Sequence, residues 1–308
     1  MSIATSPSVT VRNAYWKLDV LPEWGASILN LETASGRPVL RRVNLAHVRS
    51  SSDTAAFALM PYSNRIRDAR FDFEGNRVQL RPAAGSPNVQ HGDVRNRPWQ
   101  IEQTSESALS CTFDSRDVAD MNWPWPFTAR LAYHLHGPHC DIALTLTNAG
   151  RELMPAGIGL HPYFQRCHDG LEPTLHFEAG GWYQTGAGSI PERGAQPIPP
   201  RLDFAQAREL GPDTIDAVFS SWDGTAQLRW PGESGEGVGR SLTLTADNVF
   251  SHLVLFTAPD DSLALEPVSH ATDAFNLAAR GVHGTDMKVL SPGQSLAGAI
   301  RLTQGGAW

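Results

Sequence analysis

The dominant pattern along the chain is an alternation of apolar and polar residues with a period of two, which is typical of β-strands with one buried face. In FDFEGNRVQL (71–80) the alternation breaks at Glu74-Gly75-Asn76 and then resumes, which predicts a β-hairpin. The segment 129–148 repeats this arrangement around Gly137-Pro138. Five later segments alternate in the same way: AQLRW (226–230), SLTLTA (241–246), HLVLFT (252–257), SLALEP (262–267) and LAGAIRL (296–302).

Helical periodicity is confined to two short stretches, and we predict one helix over 203–210 and another within 272–280. Many strands with few helices predict an all-β fold, either a sandwich or a barrel. Two stretches rich in glycine and proline, 186–200 and 231–240, are flanked by strands of the same kind. We interpret both as long surface loops and predict a single domain over 1–308.

Composition narrows the possible partners and the compartment. The chain has 308 residues, with 25 Lys and Arg against 32 Asp and Glu, a net charge of −7. This acidic balance argues against nucleic acid or an anionic membrane as the main partner, since both require clustered cations. The three cysteines form no CxxC pair, the start lacks a secretory signal pattern, and no apolar run approaches a membrane span. We expect a cytoplasmic protein that is a monomer or a homodimer.

The common cofactor and nucleophile motifs do not occur in the sequence, including the P-loop, the dinucleotide-binding GxGxxG after a strand, the GxSxG elbow and HExxH. His134, His136 and His139 form a dense histidine group, and residues 134 and 136 would share one face of a strand, a spacing that can bind zinc. A hairpin whose polar face carries histidines explains the group better, so we assign no metal and no cofactor.

Four other stretches combine strand ends with reactive residues: MPYSNRIRDARF (60–71), NVQHGDVRNRPW (88–99), GIGLHPYF (157–164) and LALEPVSHATDAFN (263–276). We expect Glu266 to lie at the end of an apolar Leu-Ala-Leu strand that Pro267 stops. Desolvation at such a position raises a carboxyl pKa and makes the group a better proton acceptor near neutrality. Taken singly, each stretch has a purely structural explanation. Their joint presence, without a metal or cofactor motif, favours acid–base chemistry.

In order, Arg65 in SNRI, His91 in QHGD, His161 in LHPYF and Glu266 in LEP resemble the motifs of the aldose 1-epimerase (galactose mutarotase) family. TIDAVFS (214–220) also resembles a family segment, which would make Asp216 a sugar-hydroxyl ligand. The likeness runs from the hairpin near residue 71 to SPGQSL (291–296).

The resemblance implies a large antiparallel β-sandwich of the galactose mutarotase type and a cofactor-free interconversion of α and β sugar anomers. It assigns Glu266 as the base at the C1 hydroxyl and His161 as the acid at the ring oxygen. Asn64, Arg65, His91 and Asp216 would bind the monosaccharide, with Trp123 as a further candidate for stacking on the sugar. Independently of the family, opening a hemiacetal requires one base and one acid, and imidazole suits the acid near pH 7.

The sequence departs from galactose mutarotases at two positions, which indicates a less-characterised branch. Leu160 stands where those proteins usually have Asn, and Asp93 follows His91-Gly92 where a second glycine is frequent. The preferred sugar is therefore open.

Three alternatives remain at this level. A mutarotase for a phosphorylated or sulfonated hexose would need extra cations, for which Arg67, Arg95, Arg97 and Arg166 are candidates. A non-catalytic sugar-binding protein could share the fold. A glycoside hydrolase would use Glu266 and Asp216 as two carboxyl groups that straddle one bond.

Overall fold

The structure is a computed structural model that describes residues 8–232 and 238–308, so part of the predicted loop 231–240 lies outside the described residues. Antiparallel strands dominate it. The strands of the described residues are, in chain order, β1 (Val9–Arg12), β2 (Trp16–Leu21), β3 (Ser27–Thr33), β4 (Ala56–Leu59), β5 (Arg65–Ile66), β6 (Arg70–Phe73), β7 (Asn76–Gln79), β8 (Val89–Gln90), β9 (Gln100–Thr104), β10 (Ala108–Asp114), β11 (Phe127–His136), β12 (His139–Asn148), β13 (Met154–Ala156), β14 (Gly159–Phe164), β15 (Thr174–Phe177), β16 (Gly181–Tyr183), β17 (Arg208–Glu209), β18 (Asp216–Ser220), β19 (Thr225–Pro231), β20 (Val238–Ala246), β21 (His252–Thr257), β22 (Leu263–Val268), β23 (Lys288–Leu290) and β24 (Ser295–Gly306).

Helices are short throughout the part of the chain that the structure describes. They are the α-helix α1 (Ala274–Ala279) and the 3₁₀ helices Pro22–Trp24, Leu45–His47, Ser51–Asp53, Arg67–Ala69, Ser115–Asp117, Ala187–Ser189 and Pro200–Leu202. Within residues 8–232 and 238–308, none of them has the length and apolar character needed to cross a membrane.

Two nine-stranded sheets form most of the fold, with three two-stranded sheets beside them (β13 with β23, β5 with β8, β6 with β7). The first has the order β1-β2-β3-β4-β14-β22-β21-β18-β16, and the second has the order β17-β15-β19-β20-β24-β12-β11-β10-β9. Both sheets contribute to one hydrophobic cluster, for example through Leu160 and Leu265 of the first sheet and Leu144 and Leu302 of the second. The predicted all-β class is confirmed, and the architecture is a sandwich.

Burial along the strands separates the two sheets. In β11 and β12 of the second sheet, buried residues alternate with partly exposed ones, as expected for a sheet with one face toward solvent. In β4, β14 and β22, at the centre of the first sheet, every residue is buried. The first sheet is therefore covered on both faces at its centre.

The side chains of β14 show where the second covered face lies. Leu160 and Phe164 point into the cluster between the sheets, whereas Tyr163 belongs to a separate buried cluster on the opposite face. Phe57 of β4 and Ala264 of β22 are in that same outer cluster. This outer face of the first sheet carries the candidate site.

The local predictions had mixed outcomes. The hairpin in 71–80 is confirmed as β6 and β7, with positive φ at both Glu74 and Gly75, as a two-residue turn of type I′ requires. The hairpin in 129–148 is confirmed as β11 and β12. The helix within 272–280 is confirmed as α1. The single-domain boundary stays a prediction.

The helix over 203–210 was wrong. Arg208 and Glu209 form β17, which pairs with Leu175 and Thr174 of β15 at the edge of the second sheet. That pairing satisfies backbone groups that a helix would have satisfied internally. Tertiary pairing thus overrode a weak local periodicity.

Candidate active site

Strand register places the two predicted catalytic residues side by side. Strands β14 and β22 are antiparallel and pair Gly159 with Val268, so the same register sets His161 opposite Glu266. On the other side of His161, β4 contributes Phe57 as its direct neighbour. These side chains share the outer face of the first sheet.

Two prolines interrupt the ladder at this point. Tyr163 donates its N–H to the carbonyl of Ala55, directly before β4, and Ser269 donates its N–H to the carbonyl of Ile158 on the β14 side. By alternation, the missing N–H groups of Pro162 and Pro267 are those that would cross between β14 and β22. The expectation that β22 stops at Pro267 was wrong, since it continues to Val268. His161 and Glu266 lie where the two strands exchange fewest hydrogen bonds.

His161 and Glu266 are in direct contact. Nε2 of His161 lies 3.2 Å from Oε1 of Glu266, and the two side chains are 6% and 3% exposed. His161 is also stacked on the ring of Phe57, with centroids 4.8 Å apart, and lies 4.4 Å from the ring of Tyr163. The imidazole is thus held between two aromatic rings and a carboxyl group.

Burial controls the protonation of this pair. Desolvation lowers the pKa of His161 to about 3, and the nearby Arg41 and Arg95 act in the same direction. Desolvation raises the pKa of Glu266 well above its usual range, with Asp216 adding to the effect and Arg65 opposing it. Although the contact has the geometry of an ion pair, these directions favour the neutral tautomer with its proton on Glu266. In either tautomer the pair holds one proton and no net charge.

The polar atoms of the pair are not fully used within the protein. Nδ1 of His161 and Oε2 of Glu266 are buried and have no hydrogen-bond partner among the described residues. Buried polar atoms are normally satisfied, and an orphaned one calls for a functional explanation. Hydroxyl groups of a bound sugar would supply such partners.

Asn64 and His91 form one wall of the pocket through reciprocal hydrogen bonds. The Asn64 N–H donates to Nδ1 of His91 at 3.2 Å, and the His91 N–H donates to the Asn64 carbonyl at 2.9 Å. Because Nδ1 accepts a hydrogen bond, a neutral His91 carries its proton on Nε2. Burial lowers the pKa of His91 well below its usual range and favours this neutral form. Nε2 of this uncharged imidazole lies 2.8 Å from the side-chain amide of Gln90, so both ring nitrogens of His91 have a partner within the wall.

The backbone of this wall adopts unusual conformations. Asn64 and His91 both have positive φ, 53° and 64°. Gly92, with φ 72°, follows directly, and a Cβ atom at this position would lie 1.8 Å from the carbonyl oxygen of Met60. Only glycine fits here, which explains the residue after His91 in the QHGD stretch.

Charged residues complete the lining of a cavity of about 210 Å³. Arg65 pairs its backbone with Gln90 and donates from Nη1 to Oδ1 of Asn64 at 3.3 Å. Asp216, on β18, lies two strands from Glu266 and is exposed at the opposite side. Arg95 lies beside the ring of Phe57.

The structure therefore brings six of the seven predicted site residues to one cavity: Asn64, Arg65, His91, His161, Asp216 and Glu266. Trp123 is the exception and requires a correction. It is 3% exposed and packs against Tyr62, Phe71 and Phe275 in the hydrophobic core. Its ring faces are already covered by aromatic neighbours, so it is not placed to stack on a sugar.

Several cavity residues were not identified from the sequence. Tyr163 had a usable signal, because it lies two residues after His161 and so shares its face in a strand. Phe57 and Ser52 had no such signal, because their position depends on β4 pairing with β14 across a long separation in sequence.

The two departures from galactose mutarotases lie outside the cavity. Leu160 is 1% exposed and faces the core between the two sheets. Asp93 forms an ion pair with Arg97 at 3.2 Å. Neither side chain lines the cavity, so neither departure changes the groups that a sugar would meet there.

The histidine group of the β11–β12 hairpin lies on the other sheet. Ligand atoms of His134, His136 and Asp141 lie within 4.8 Å of one another. Arg301, however, donates to both oxygens of Asp141, at 2.6 and 2.8 Å, and His139 bonds to Thr303 instead. A guanidinium already occupies the position where a cation would bind.

Comparison with known proteins identifies the family of the chain. The sequence profile of the family described as "Aldose 1-epimerase" matches residues 7–303. The chain belongs to the aldose 1-epimerase family.

Individual relatives are distant in sequence. The chain is 28% identical to "Uncharacterized protein YphB" of Escherichia coli K12 over 95% of this chain and 97% of that protein. It is 27% identical to "Aldose 1-epimerase" of the same organism over 67% of this chain and 62% of that protein. A crystal structure of a galactose mutarotase-like protein from Clostridium acetobutylicum superposes with a TM-score of 0.85 over 97% of this chain and 95% of that one, at 16% identity. This last likeness concerns the fold.

Proposed function

We propose that the protein is a mutarotase, an aldose 1-epimerase that interconverts the α and β anomers of a hexose by opening and reclosing the sugar ring. The observation that carries this proposal is the buried contact of 3.2 Å between His161 and Glu266. The two oxygens that exchange protons in ring opening, the C1 hydroxyl and the ring oxygen, are bonded to the same carbon. Their acid and base must therefore be neighbours, as His161 and Glu266 are.

The reaction needs only the one proton that His161 and Glu266 share. When a sugar enters between the two side chains, their direct contact is replaced by two new ones. Glu266 then contacts the C1 hydroxyl, and His161 contacts the ring oxygen. Glu266 takes the proton of the C1 hydroxyl while His161 gives its proton to the ring oxygen, so the C1–O bond of the ring breaks and a carbonyl forms at C1. Rotation about C1–C2 presents the other carbonyl face, and the reverse transfers close the ring. The pair ends with the same single proton.

The active tautomer has a carboxylate and an imidazolium, whereas burial favours the neutral one. Arg65 supports the carboxylate, because its positive charge lowers the pKa of Glu266. Arg65 and Asp216 are available for hydroxyl groups around the ring, and His91 lines the same cavity, which fixes the sugar relative to the pair. No metal or redox cofactor enters these steps.

The geometry favours this reaction over glycoside hydrolysis. A hydrolase would need Asp216 and Glu266 on either side of one bond. The direct partner of Glu266 is His161, at 3.2 Å, whereas Asp216 lies on a strand two positions away in the sheet.

The test is a direct measurement of anomer exchange. Protein is added to freshly dissolved α-glucose and α-galactose, and the approach to equilibrium is followed by polarimetry or by the anomeric proton signals in NMR. We expect acceleration above the buffer rate in proportion to protein concentration. Sugar binding without acceleration would instead indicate a non-catalytic sugar-binding protein.

A further inference from the structure

We propose that Arg95 and Ser52 form a subsite for an anionic group on C6 of the hexose, a phosphate, sulfonate or carboxylate. The inference rests on the proposed mutarotase function, because it uses the orientation of the sugar between His161 and Glu266. It goes further by naming the class of substrate.

Arg95 is a cation inside the cavity without a carboxylate partner. Its guanidinium lies 5.2 Å from the ring centroid of Phe57, and Nη1 donates to Oγ of Ser52 at 2.8 Å. Within residues 8–232 and 238–308 it forms no ion pair with Asp or Glu, and this hydroxyl is its one side-chain partner. A guanidinium has five N–H donors, so most of them are free for a ligand.

The other arginines considered for an acidic substrate are neutralised by the protein. Arg97 pairs with Asp93, and Arg166 pairs with Glu172 at 2.8 Å. The remaining one, Arg67, has its Nε 3.7 Å from a carboxylate oxygen of the buried Asp273. Arg41, which lies over the ring of Tyr163, pairs with Asp260 at 3.0 Å. The structure thus singles out Arg95 among these cations.

The position of Arg95 corresponds to one end of the sugar. In a pyranose, the ring oxygen is bonded to C1 on one side and to C5, which carries C6, on the other. With Glu266 at the C1 hydroxyl and His161 at the ring oxygen, C6 extends beyond His161 and away from Glu266. The strand beyond His161 is β4, and the guanidinium of Arg95 lies over the ring of Phe57 on that strand. The C6 substituent therefore faces Arg95 and Ser52.

The charge of the cavity agrees with an anionic ligand. The His161–Glu266 pair is neutral overall, and Asp216 offsets one of the two cavity arginines, Arg65 and Arg95. One positive charge is left over, in a protein whose net charge is −7. A partly buried cation without a counter-ion is costly, and a bound phosphate, sulfonate or carboxylate would offset that cost.

The experiment compares exchange rates for glucose, glucose 6-phosphate and glucuronate, each corrected for its own uncatalysed exchange in the same buffer. We expect kcat/KM to be at least about tenfold higher for one of the two anionic sugars than for glucose, since charge-assisted bonds exceed neutral ones. Whichever anionic sugar is preferred identifies the group as phosphate or carboxylate.

Variants test whether the preference for an anionic sugar depends on Arg95 and Ser52. Arg95→Gln should lower kcat/KM for the preferred anionic sugar by roughly 10- to 100-fold, and for glucose by less. Ser52→Ala should give a smaller loss in the same direction. Arg116→Gln is the matched control, because it removes one positive charge from an exposed turn where Arg116 pairs with Asp114. It should leave all three rates unchanged.

The outcomes separate this inference from the proposed function. Acceleration of glucose alone, or an equal loss for all sugars in Arg95→Gln, would overturn the subsite and leave the mutarotase function standing. If no sugar is accelerated, the mutarotase function fails, and calorimetric binding of the three sugars still decides the subsite. Tighter binding of an anionic sugar that Arg95→Gln abolishes would support it, and equal or no binding would overturn it.

Discussion

Two of the contacts between a histidine and a carboxyl group, His161 with Glu266 and His136 with Asp141, differ in burial rather than in chemistry. His161 and Glu266 are 3.2 Å apart, with 6% and 3% of their side chains exposed. His136 and Asp141 are 2.9 Å apart, with 38% and 24% exposed. Desolvation raises the pKa of Glu266, whereas hydrogen bonds from Arg301 and His136 outweigh desolvation and lower the pKa of Asp141. The first pair keeps a transferable proton because it is buried and no arginine holds its carboxyl group as Arg301 holds that of Asp141.

The largest effect is expected from Glu266→Gln, which keeps the shape of the side chain and removes the base. The rate of anomer exchange should fall by roughly 10²–10⁴-fold, the range typical of a positioned acid or base. The measurement is the exchange rate at saturating sugar, with circular dichroism as a check of folding. A variant that retains the wild-type rate would show that Glu266 is not the base.

The pH dependence of the exchange rate sharpens the comparison. The pair is active while it holds one proton, so activity is lost when a second proton binds or when the last one leaves. Because burial lowers the pKa of His161 to about 3, kcat/KM should not fall as the pH decreases from 6.5 to 5. Because burial raises the pKa of Glu266, loss of the last proton moves toward alkaline pH. An acid limb near pH 6.5 would indicate a solvent-exposed imidazole instead.

Buried histidines also predict how stability responds to acid. Burial lowers the pKa of His91, His252 and His270 in the folded protein, so the unfolded chain binds more protons below about pH 6.5. His161 is left out of this sum because the proton that it lacks is held by Glu266, whose pKa burial raises. The free energy of unfolding should therefore fall as the pH decreases from 6.5 toward 4, with each such histidine contributing up to about 1.4 kcal/mol per pH unit.

Urea denaturation at several pH values measures this slope. The exposed His134→Asn is the control and should leave the slope as it is. A stability that stays constant between pH 4.5 and 6.5 would contradict the buried, neutral state of these histidines.

The smallest effect is expected at the exposed pair. Asp141→Asn should change the free energy of unfolding by less than about 1 kcal/mol, because exposed ion pairs contribute little. The exchange rate should not change, since Asp141 lies on the second sheet. A large loss of activity in this variant would mean that the two clusters are coupled.

The sequence was a good guide where the signal was local. The hairpins at 71–80 and 129–148 were predictable because the turn and both strands are contiguous. The cavity residues at 64–65, 91, 161, 216 and 266 came from motifs. Phe57 and Ser52 were not predictable as cavity residues, because their position depends on β4 being a neighbour of β14 in the sheet. The burial of Trp123 was not predictable either, because it depends on Tyr62, Phe71 and Phe275, which are distant in sequence. Strand order is a long-range property that alternation does not encode.

Gly92 has a consequence for anyone who redesigns this cavity. The wall around Asn64 and His91 is set by main chain packed on main chain, since any side chain at residue 92 would collide with the Met60 carbonyl. Mutant libraries that randomise residues 91–93 would therefore consist mainly of misfolded proteins. Substrate preference is better altered from Ser52 and Arg95, where change affects side chains alone.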